Sequence, residues 1–349
     1  MNNNLPKVAV TMGDPVGIGP EIVAKALCEP WVSQLCRPIV YGNAGRLNLG
    51  ARCSGVKIDF GTVPSVHEVH RSHAAVAVID PDETQEAAAS DWARPTAACG
   101  RAMFAYLNAA IDDAMAGRVD AIATGPINKA ALHMAGIGYA GHTEILAQRT
   151  QTRDYAMMLA GDRLKVVLVT IHVPLARVPE ILSTSTILKV IELTDHDLKT
   201  RFGLSSARIA VAGLNPHAGE KGLFGDEEEK IIRPAIDLAI SRGIDVSGPH
   251  PPDTVFFSAS RGAYDAVVAM YHDQGLGPFK MIHFNDGVNT TLGLPIVRTS
   301  VDHGTAYDIA GKGRASAESM VAAIAMAAKQ AECLRRHRSN TAKPDSHRS

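Results

Sequence analysis

The chain has 349 residues, 46% of them hydrophobic and 20% charged, and a net charge of −1 with its 14 histidines neutral. That is the composition of a globular protein with ample core, long enough for two domains of ordinary size. A charge balance so near zero speaks against a surface built for nucleic acid or an anionic membrane, and no apolar run reaches the length of a membrane span, so small molecules are the expected partners.

The opening KVAVTMGDPVGIGPEIVAKAL passes from a short apolar strand through a Gly/Pro turn into a helix whose first turn suits Pro20 and Glu21. RPIVYG then AGRLNLGARC, VAVID near residue 80, and a long helical stretch from Ala97 to Ala116 follow. VDAIATGP at 119–126, with INKAALHMAG after it, repeats the strand-then-helix pattern. From Lys165 onward three apolar runs, KVVLVTIH, RIAVAGLNPH and DAVVAMYH, read as buried strands. The helical segments STSTILKVIELTDHDLKTRFG and DEEEKIIRPAIDLAISRG separate them. A last helix, rich in Ala and Met, spans Arg314 to Arg335 with Ser316 as N-cap, and the polar, basic tail after it is expected to be disordered. Alternation of this kind specifies an α/β fold with largely parallel sheets. The five cysteines are scattered without a C-x-x-C pair, which argues against a disulfide framework or zinc knuckle, and MNNNLPK lacks the pattern of a leader, so a cytoplasmic location is expected.

Each of the three later strands runs out on a histidine: His172, His217 and His272. Ligands of open parallel sheets bind outside the carboxyl ends of the strands, so imidazoles placed there can converge on one point, and three histidines with an open fourth position make a catalytic metal site. Unrelated loop histidines are the competing explanation, and recurrence of the same local context weighs against it. Imidazole ligands favour zinc, cobalt, nickel or iron over magnesium. Asp273, directly after His272, and Asp253, in GPHPPDTVF, either orient an imidazole or approach the metal, unless Asp253 and Thr254 simply make a turn.

A second group is Lys280, Asn289 and Arg298. Arg298 lies in an apolar stretch, and a buried guanidinium has to meet an anion or a carboxylate, whereas Lys280 and Asn289 are either part of the same cradle or solvated loop residues. Gly141-His142-Thr143-Glu144 reads as a turn feeding a helix, whose unpaired N–H groups make an anion seat; Thr143 serves as N-cap alone or as N-cap and ligand contact. In Asp302 to Gly313, DHGTAYDIAGKG, small residues let a ligand approach the backbone. The early loop Gly13 to Gly19 contains neither G-x-G-x-x-G nor a P-loop lysine and is weak as a nucleotide fingerprint.

Taken in order, MGDPVGIGPE, GHTEILA, NPHAGEKGLFGDEE, PPDTVF, YHDQG, GVNTTLGLP and RTSVDHGTAYDIAGKG resemble the 4-hydroxythreonine-4-phosphate dehydrogenase family, known as PdxA, over about residues 7–330. HGTAYDIAGKG also resembles the adenosine-binding loop of isopropylmalate and isocitrate dehydrogenases. The resemblance implies two α/β/α domains of that dehydrogenase type with the active site in the cleft between them. The expected division is 1–125 plus about 285–331 for the first, 126–284 for the second, and 332–349 as a disordered tail. It implies that His172, His217 and His272 bind one divalent metal, zinc first with cobalt or magnesium as alternatives, at the interface of a homodimer. It further implies that His142, Thr143, Lys280, Asn289 and Arg298 hold a phosphorylated acid, and that His303, Gly304, Thr305, Asp308 and Gly311 bind NAD.

The implied chemistry is an NAD- and metal-dependent oxidation and decarboxylation of a 4-phosphorylated 3-hydroxy acid. RDYAMML, VAGLNPHAGEKGLFGDEE, GPHPPDTVF and FNDGVN favour the branch acting on 4-phospho-D-threonate in threonate catabolism, which yields dihydroxyacetone phosphate and CO2. The alternative is 4-phosphohydroxy-L-threonine in pyridoxal phosphate synthesis, giving 3-amino-2-oxopropyl phosphate and CO2. The two substrates differ at C2, hydroxyl against amine. Ile171 departs from the Ser or Thr usual before the first metal histidine, and LGPFK departs from the usual loop before the lysine. A metal-dependent hydrolase or aldolase working without NAD, and a non-catalytic metal-binding protein, are the rival classes.

Overall fold

The computed structural model describes residues 5–82, 85–139 and 141–341. The chain forms two α/β units, Met1–Arg153 with Leu294–Glu332, and Asp154–Gly293 with Cys333–Ser349. The first begins with β1 (Lys7–Thr11), β2 (Arg37–Tyr41), β3 (Phe60–Thr62), β4 (Val76–Ile79) and β5 (Ala121–Thr124). The second holds β6 (Ala156–Ala160), β7 (Lys165–Leu168), β8 (Ile209–Ala212), β9 (Val246–His250), β10 (Ala266–Ala269) and β11 (Val288–Leu292), after which β12 (Val297–Val301) returns to the first.

In the first unit the strand order is β3-β4-β2-β1-β5-β12, and the neighbours run parallel. Val8, Ala9 and Val10 of β1 and all of β5 are buried, which is why these strands read as continuous apolar runs rather than as alternating ones. In the second unit the order is β11-β6-β7-β10-β8-β9. Here β7, β10, β8 and β9 are parallel, whereas β6 is antiparallel to both β7 and β11. A hairpin turn, with Gly161 N donating to Leu164 O at 2.9 Å, joins β6 to β7. Leu159, Val166, Leu168, Val267, Phe256 and Phe279 belong to its core, each large apolar side chain contributing about 1.5–3 kcal/mol by leaving water. Because β7, β10 and β8 are parallel neighbours, the residues that follow them leave the sheet at the same end.

Two boundaries differ from those read in the sequence. The first break falls at 153/154 rather than 125/126 because the helices after β5 pack on the first unit. Gly100 of the helix Ala97–Met115 lies so close to the helix Lys129–Met134 that a Cβ would sit 2.0 Å from Ala131 O, and Arg149 pairs with Asp112. The return falls at 293/294 rather than near 285, since β11 pairs with β6. The tail also needs correction. The last helix runs Glu318–Thr341, through ten residues expected to be disordered. Arg335, Arg336, His337 and Arg338 stand in its final turns, where positive charge suits the helix dipole. Ser316 Oγ accepts the Glu318 amide at 3.2 Å, but Ala317 O accepts the first intrahelical bond, from the Val321 amide at 2.9 Å, so the N-cap position falls on Ala317 and not on Ser316. Residues 342–349 lie outside the described residues. Among the described residues no helix is long and apolar enough to cross a membrane.

Candidate active site

Arg298 sits on β12 in register with Ile122 of β5 and is only 2% exposed. Its Nη2 donates to Thr124 Oγ1 at 2.9 Å. Burial pushes the guanidinium down to about 9, with the Glu144 charge opposing the shift. Still protonated at neutral pH, a cation so far from water gains strongly from any anion brought against it. The helix that carries Glu144, His142–Arg149, starts from Gly141 without a side-chain cap, so Thr143 is a first-turn residue and not the N-cap. His142 Nε2 is buried with no hydrogen-bond partner among the described residues. Burial first, and then the Arg298 charge, hold this imidazole well below its ordinary value, so it is neutral. A buried guanidinium, a neutral imidazole and the amides of a helix N-terminus are a set that receives a phosphate or carboxylate.

Of the expected substrate residues, the structure places His142, Thr143 and Arg298 in the first unit and Lys280 and Asn289 in the second. Lys280 lies on the helix His272–Ile282, its Nζ 5.7 Å from the centre of the Phe284 ring. Asn289 stands on β11 opposite Leu159, with its Oδ1 buried and without a hydrogen-bond partner among the described residues.

The segment 302–313 is fixed from beneath by the loop after β1. Ile18 N donates to Thr305 O at 3.0 Å, Tyr307 OH donates to Asp14 Oδ2, and Gly311 N donates to Glu21 Oε1. Lys25 Nζ donates to Gly313 O at 2.8 Å and to Ala315 O at 2.7 Å. Burial and the bond to Asp14 both push the Tyr307 phenol up, so it stays a donor. His303, Gly304 and Asp308 remain exposed on this pinned backbone, and Glu21 Oε2 is buried with no partner among the described residues. A rigid loop that presents small and polar groups outward fits a dinucleotide lying across it. The Gly13 to Gly19 loop, weak as a fingerprint, is the support of that platform. Asp14 and Glu21 escaped the sequence reading because an acid bonded across some 290 residues, to a phenol in one case and a backbone amide in the other, leaves no local pattern.

The three strand-end histidines lie in the second unit. His172 and His272 come together with ring centroids 5.8 Å apart. Two imidazoles on one tetrahedral ion need about 5 Å between ring centres, so the pair fits such an ion. His272 Nδ1 is engaged by Asp273 Oδ1 at 2.8 Å, which leaves Nε2 as the nitrogen for a metal and makes Asp273 the orienting partner. Asp253 lies exposed in the first turn of the helix Pro252–Ser260. His217 packs against Phe224, centroids 6.0 Å apart, and among the described residues no group of three His, Cys, Asp or Glu within one chain can hold a metal. One chain therefore brings two of the three imidazoles together.

The backbone at His217 is unusual. His217, Ala218, Gly219, Glu220 and Lys221 have φ of 53°, 51°, 77°, 43° and 58°, a turn of left-handed helix. For residues other than glycine that conformation costs about 1–2 kcal/mol each, and such strain persists where the surroundings over-determine it. Gly219 is needed there twice over: its φ is positive, and a Cβ would lie 2.7 Å from Glu228 Oε2.

The family described as pyridoxal phosphate biosynthetic protein PdxA matches residues 34–327. A 4-hydroxythreonine-4-phosphate dehydrogenase from Desulforapulum autotrophicum is 53% identical over 340 residues, covering 97% of this chain and 100% of that protein. A D-threonate 4-phosphate dehydrogenase from Salmonella typhimurium is 48% identical over 320 residues, covering 92% and 97%. The crystal structure of a 4-hydroxythreonine-4-phosphate dehydrogenase from Klebsiella pneumoniae aligns with a TM-score of 0.85 at 45% identity, over 95% of this chain and 100% of that one. Dehydrogenases, oxidoreductases acting on a CH–OH group, are the class these likenesses define. The chain belongs to the PdxA family.

Proposed function

We propose that the protein oxidises and decarboxylates a 4-phosphorylated 3-hydroxy acid with NAD and a divalent metal, and that 4-phospho-D-threonate is its substrate ahead of 4-phosphohydroxy-L-threonine. The observation that carries this reading is the buried Arg298 beside neutral His142 at a helix N-terminus, a set of groups suited to an anion. Relatives named for each substrate match nearly the whole chain. The preference for the threonate rests on the sequence stretches that resemble that branch.

In this reading His142, Thr143, Lys280, Asn289 and Arg298 bind the phosphorylated acid. Arg298 supplies charge, and His142, kept neutral, supplies a hydrogen bond at Nε2 without repelling it. His303, Gly304, Thr305, Asp308 and Gly311 bind NAD on the pinned loop. His172, His217 and His272 hold the metal, zinc by ligand preference, with Asp273 orienting His272. When bound, the ion supplies Lewis acidity at the oxygen being oxidised and the nicotinamide a hydride acceptor. The resulting β-keto acid loses CO2, and Lys280, on the helix that begins at His272, is near enough in sequence to the metal segment to serve as a proton carrier.

A homodimer with the metal at its interface is supported by two features of the second unit. One chain gathers two imidazoles and not three, and Leu223, Phe224, Phe257, Met281 and Phe284 are exposed, apolar surface of the kind a partner covers. The test is to mix the full chain with NAD and a divalent metal against 4-phospho-D-threonate and 4-phosphohydroxy-L-threonine side by side, following NADH absorbance. Faster NADH formation with the threonate is expected. No NADH from either acid overturns the reading, and turnover without NAD points to a hydrolase or aldolase instead.

A further inference from the structure

One chain of hydrogen bonds ties together the three strand ends that carry the histidines. Thr170, two residues before His172, donates through its backbone N–H and its hydroxyl to Met270 O, at 3.2 and 2.8 Å. Met270, two residues before His272, donates its N–H to Gln274 Oε1 at 2.7 Å, and Gln274 Nε2 donates to Gly213 O at 2.6 Å. Gly213 opens the loop that leads to His217. The next two amides, Leu214 and Asn215, donate to Glu228 Oε1 at 2.7 Å each, and Asn215 Nδ2 donates to Glu228 Oε2 at 2.9 Å. Gln274 and Glu228 are both buried. Glu228 also opens a single turn of π-helix, Glu228–Ile232, an inserted-residue geometry that recurs at functional sites.

Neither side chain is replaceable in this arrangement. Gln274 has to accept at one end and donate at the other, which an amide does and a carboxylate does not. A glutamate there would set an acceptor against Gly213 O. Glu228 has to accept at both oxygens, and an amide there would set a donor against Asn215 Nδ2. The left-handed turn wraps its carboxylate, since a Cβ on Gly219 would meet Oε2 and one on Gly213 would lie 3.1 Å from Oε1.

We propose that Gln274 and Glu228 are positioning residues for the divalent cation: they fix the His217 turn on the strand ends of its own chain, and so set how that imidazole is presented to the ion and the affinity of the site. The proposal rests on the reading of those three histidines as ligands. Neither residue is in the ligand set; both act on the backbone that carries it, as outer-shell partners of metal sites do.

The test uses the full chain as Gln274→Glu, Glu228→Gln, His217→Ala and parent. Zinc affinity is measured by competition with a chromophoric chelator, and NADH formation is followed as a function of zinc concentration. Both positioning variants are expected to lose about 10–100-fold in zinc affinity, to recover their rate at excess zinc, and to keep the parental KM for NAD. Recovery at excess zinc is the readout a general loss of structure would not give. Two substitutions at separate ends of the network are made so that misfolding of one leaves the other to decide. Parental zinc affinity in a folded positioning variant, with His217→Ala defective, overturns the proposal while the ligand reading stands. Parental affinity in His217→Ala overturns the ligand reading itself, and the proposal with it.

Discussion

The two units solve one problem, holding ionisable groups where a ligand reaches them, in opposite ways. In the first unit the functional groups themselves are buried: Arg298 and His142 Nε2 are withdrawn from water, and burial shifts both from their ordinary titration ranges. In the second the imidazoles of His172 and His217 are exposed, and burial is reserved for the amide and carboxylate that brace the backbone under them, Gln274 and Glu228. A charged seat gains from desolvation because its ligand restores the lost interaction at low dielectric. A metal ligand gains from orientation, and an ion or a second copy can complete its surroundings afterwards. Burial thus holds the charged group of the first unit, and bracing of the backbone holds the imidazoles of the second.

The contrast is broken most severely at the metal. His217→Ala is expected to lower kcat/KM by about 10³-fold, the scale seen when a group that stabilises developing charge is removed, and to lower bound zinc in the purified protein. KM for NAD should stay unchanged, because the loop proposed to bind it is pinned by Asp14, Glu21 and Lys25. Full activity in this variant ends the metal assignment.

Next comes the charge of the first unit. Arg298→Met removes hydrogen bonds from a charged donor, worth about 1.5–3 kcal/mol, so KM for the phosphorylated acid should rise roughly 10- to 100-fold. Zinc content should stay parental. An unchanged KM would mean that Arg298 serves only the fold through Thr124.

How far this contrast was legible beforehand differs between the units. The strand-end histidines and the buried Arg298 were visible, because parallel strands buried on both faces read as apolar runs and ligands lie outside their carboxyl ends. What supports them was not. Glu228 sits in the run DEEEK, where three adjacent glutamates look alike, and the middle one, opening the π-turn, faces inward onto Leu214 and Asn215. Gln274 was passed over for its charged neighbour Asp273, although the amide bridges two strand ends and the acid bonds a single imidazole. The β6–β7 hairpin was missed because RDYAMMLAGDRLK carries no two-residue Asn-Gly or Asp-Gly turn, and the helix beyond Arg335 because its polar residues lack apolar periodicity.

The pH dependence sharpens the comparison at smaller amplitude. Arg298 is depressed from its ordinary value to about 9, so its charge is complete at lower pH and is lost as pH rises through that value. KM for the acid should therefore climb above about pH 9, approaching tenfold per pH unit. His142 is held far below 6.5 and stays neutral, so it adds no limb between pH 6.5 and 9. The measurement is KM against pH for parent and Arg298→Met. A limb that survives in the variant belongs to another group.

The smallest effect concerns the loop that supports the cofactor. Tyr307→Phe deletes the donor to Asp14 Oδ2 while Asp14 Oδ1 keeps the Val16 amide at 3.0 Å. An acceptor left without its donor in a buried place costs about 1–3 kcal/mol. Burial already raises the Asp14 pKa and the phenol's hydrogen bond lowers it, so removing the phenol moves that carboxyl further up. Part of the cost goes to global stability, and part releases the backbone of Thr305 to Asp308, which presents the surface for NAD. NADH titrated by its fluorescence should bind about three- to tenfold more weakly, the equivalent of roughly 0.7–1.4 kcal/mol. Zinc affinity should hold, since its braces, Gln274 and Glu228, lie in the other unit. A lowered melting temperature with parental NADH affinity would show that the Asp14–Tyr307 contact supports the fold alone. A change in zinc affinity would show that the division of labour between the units is wrong.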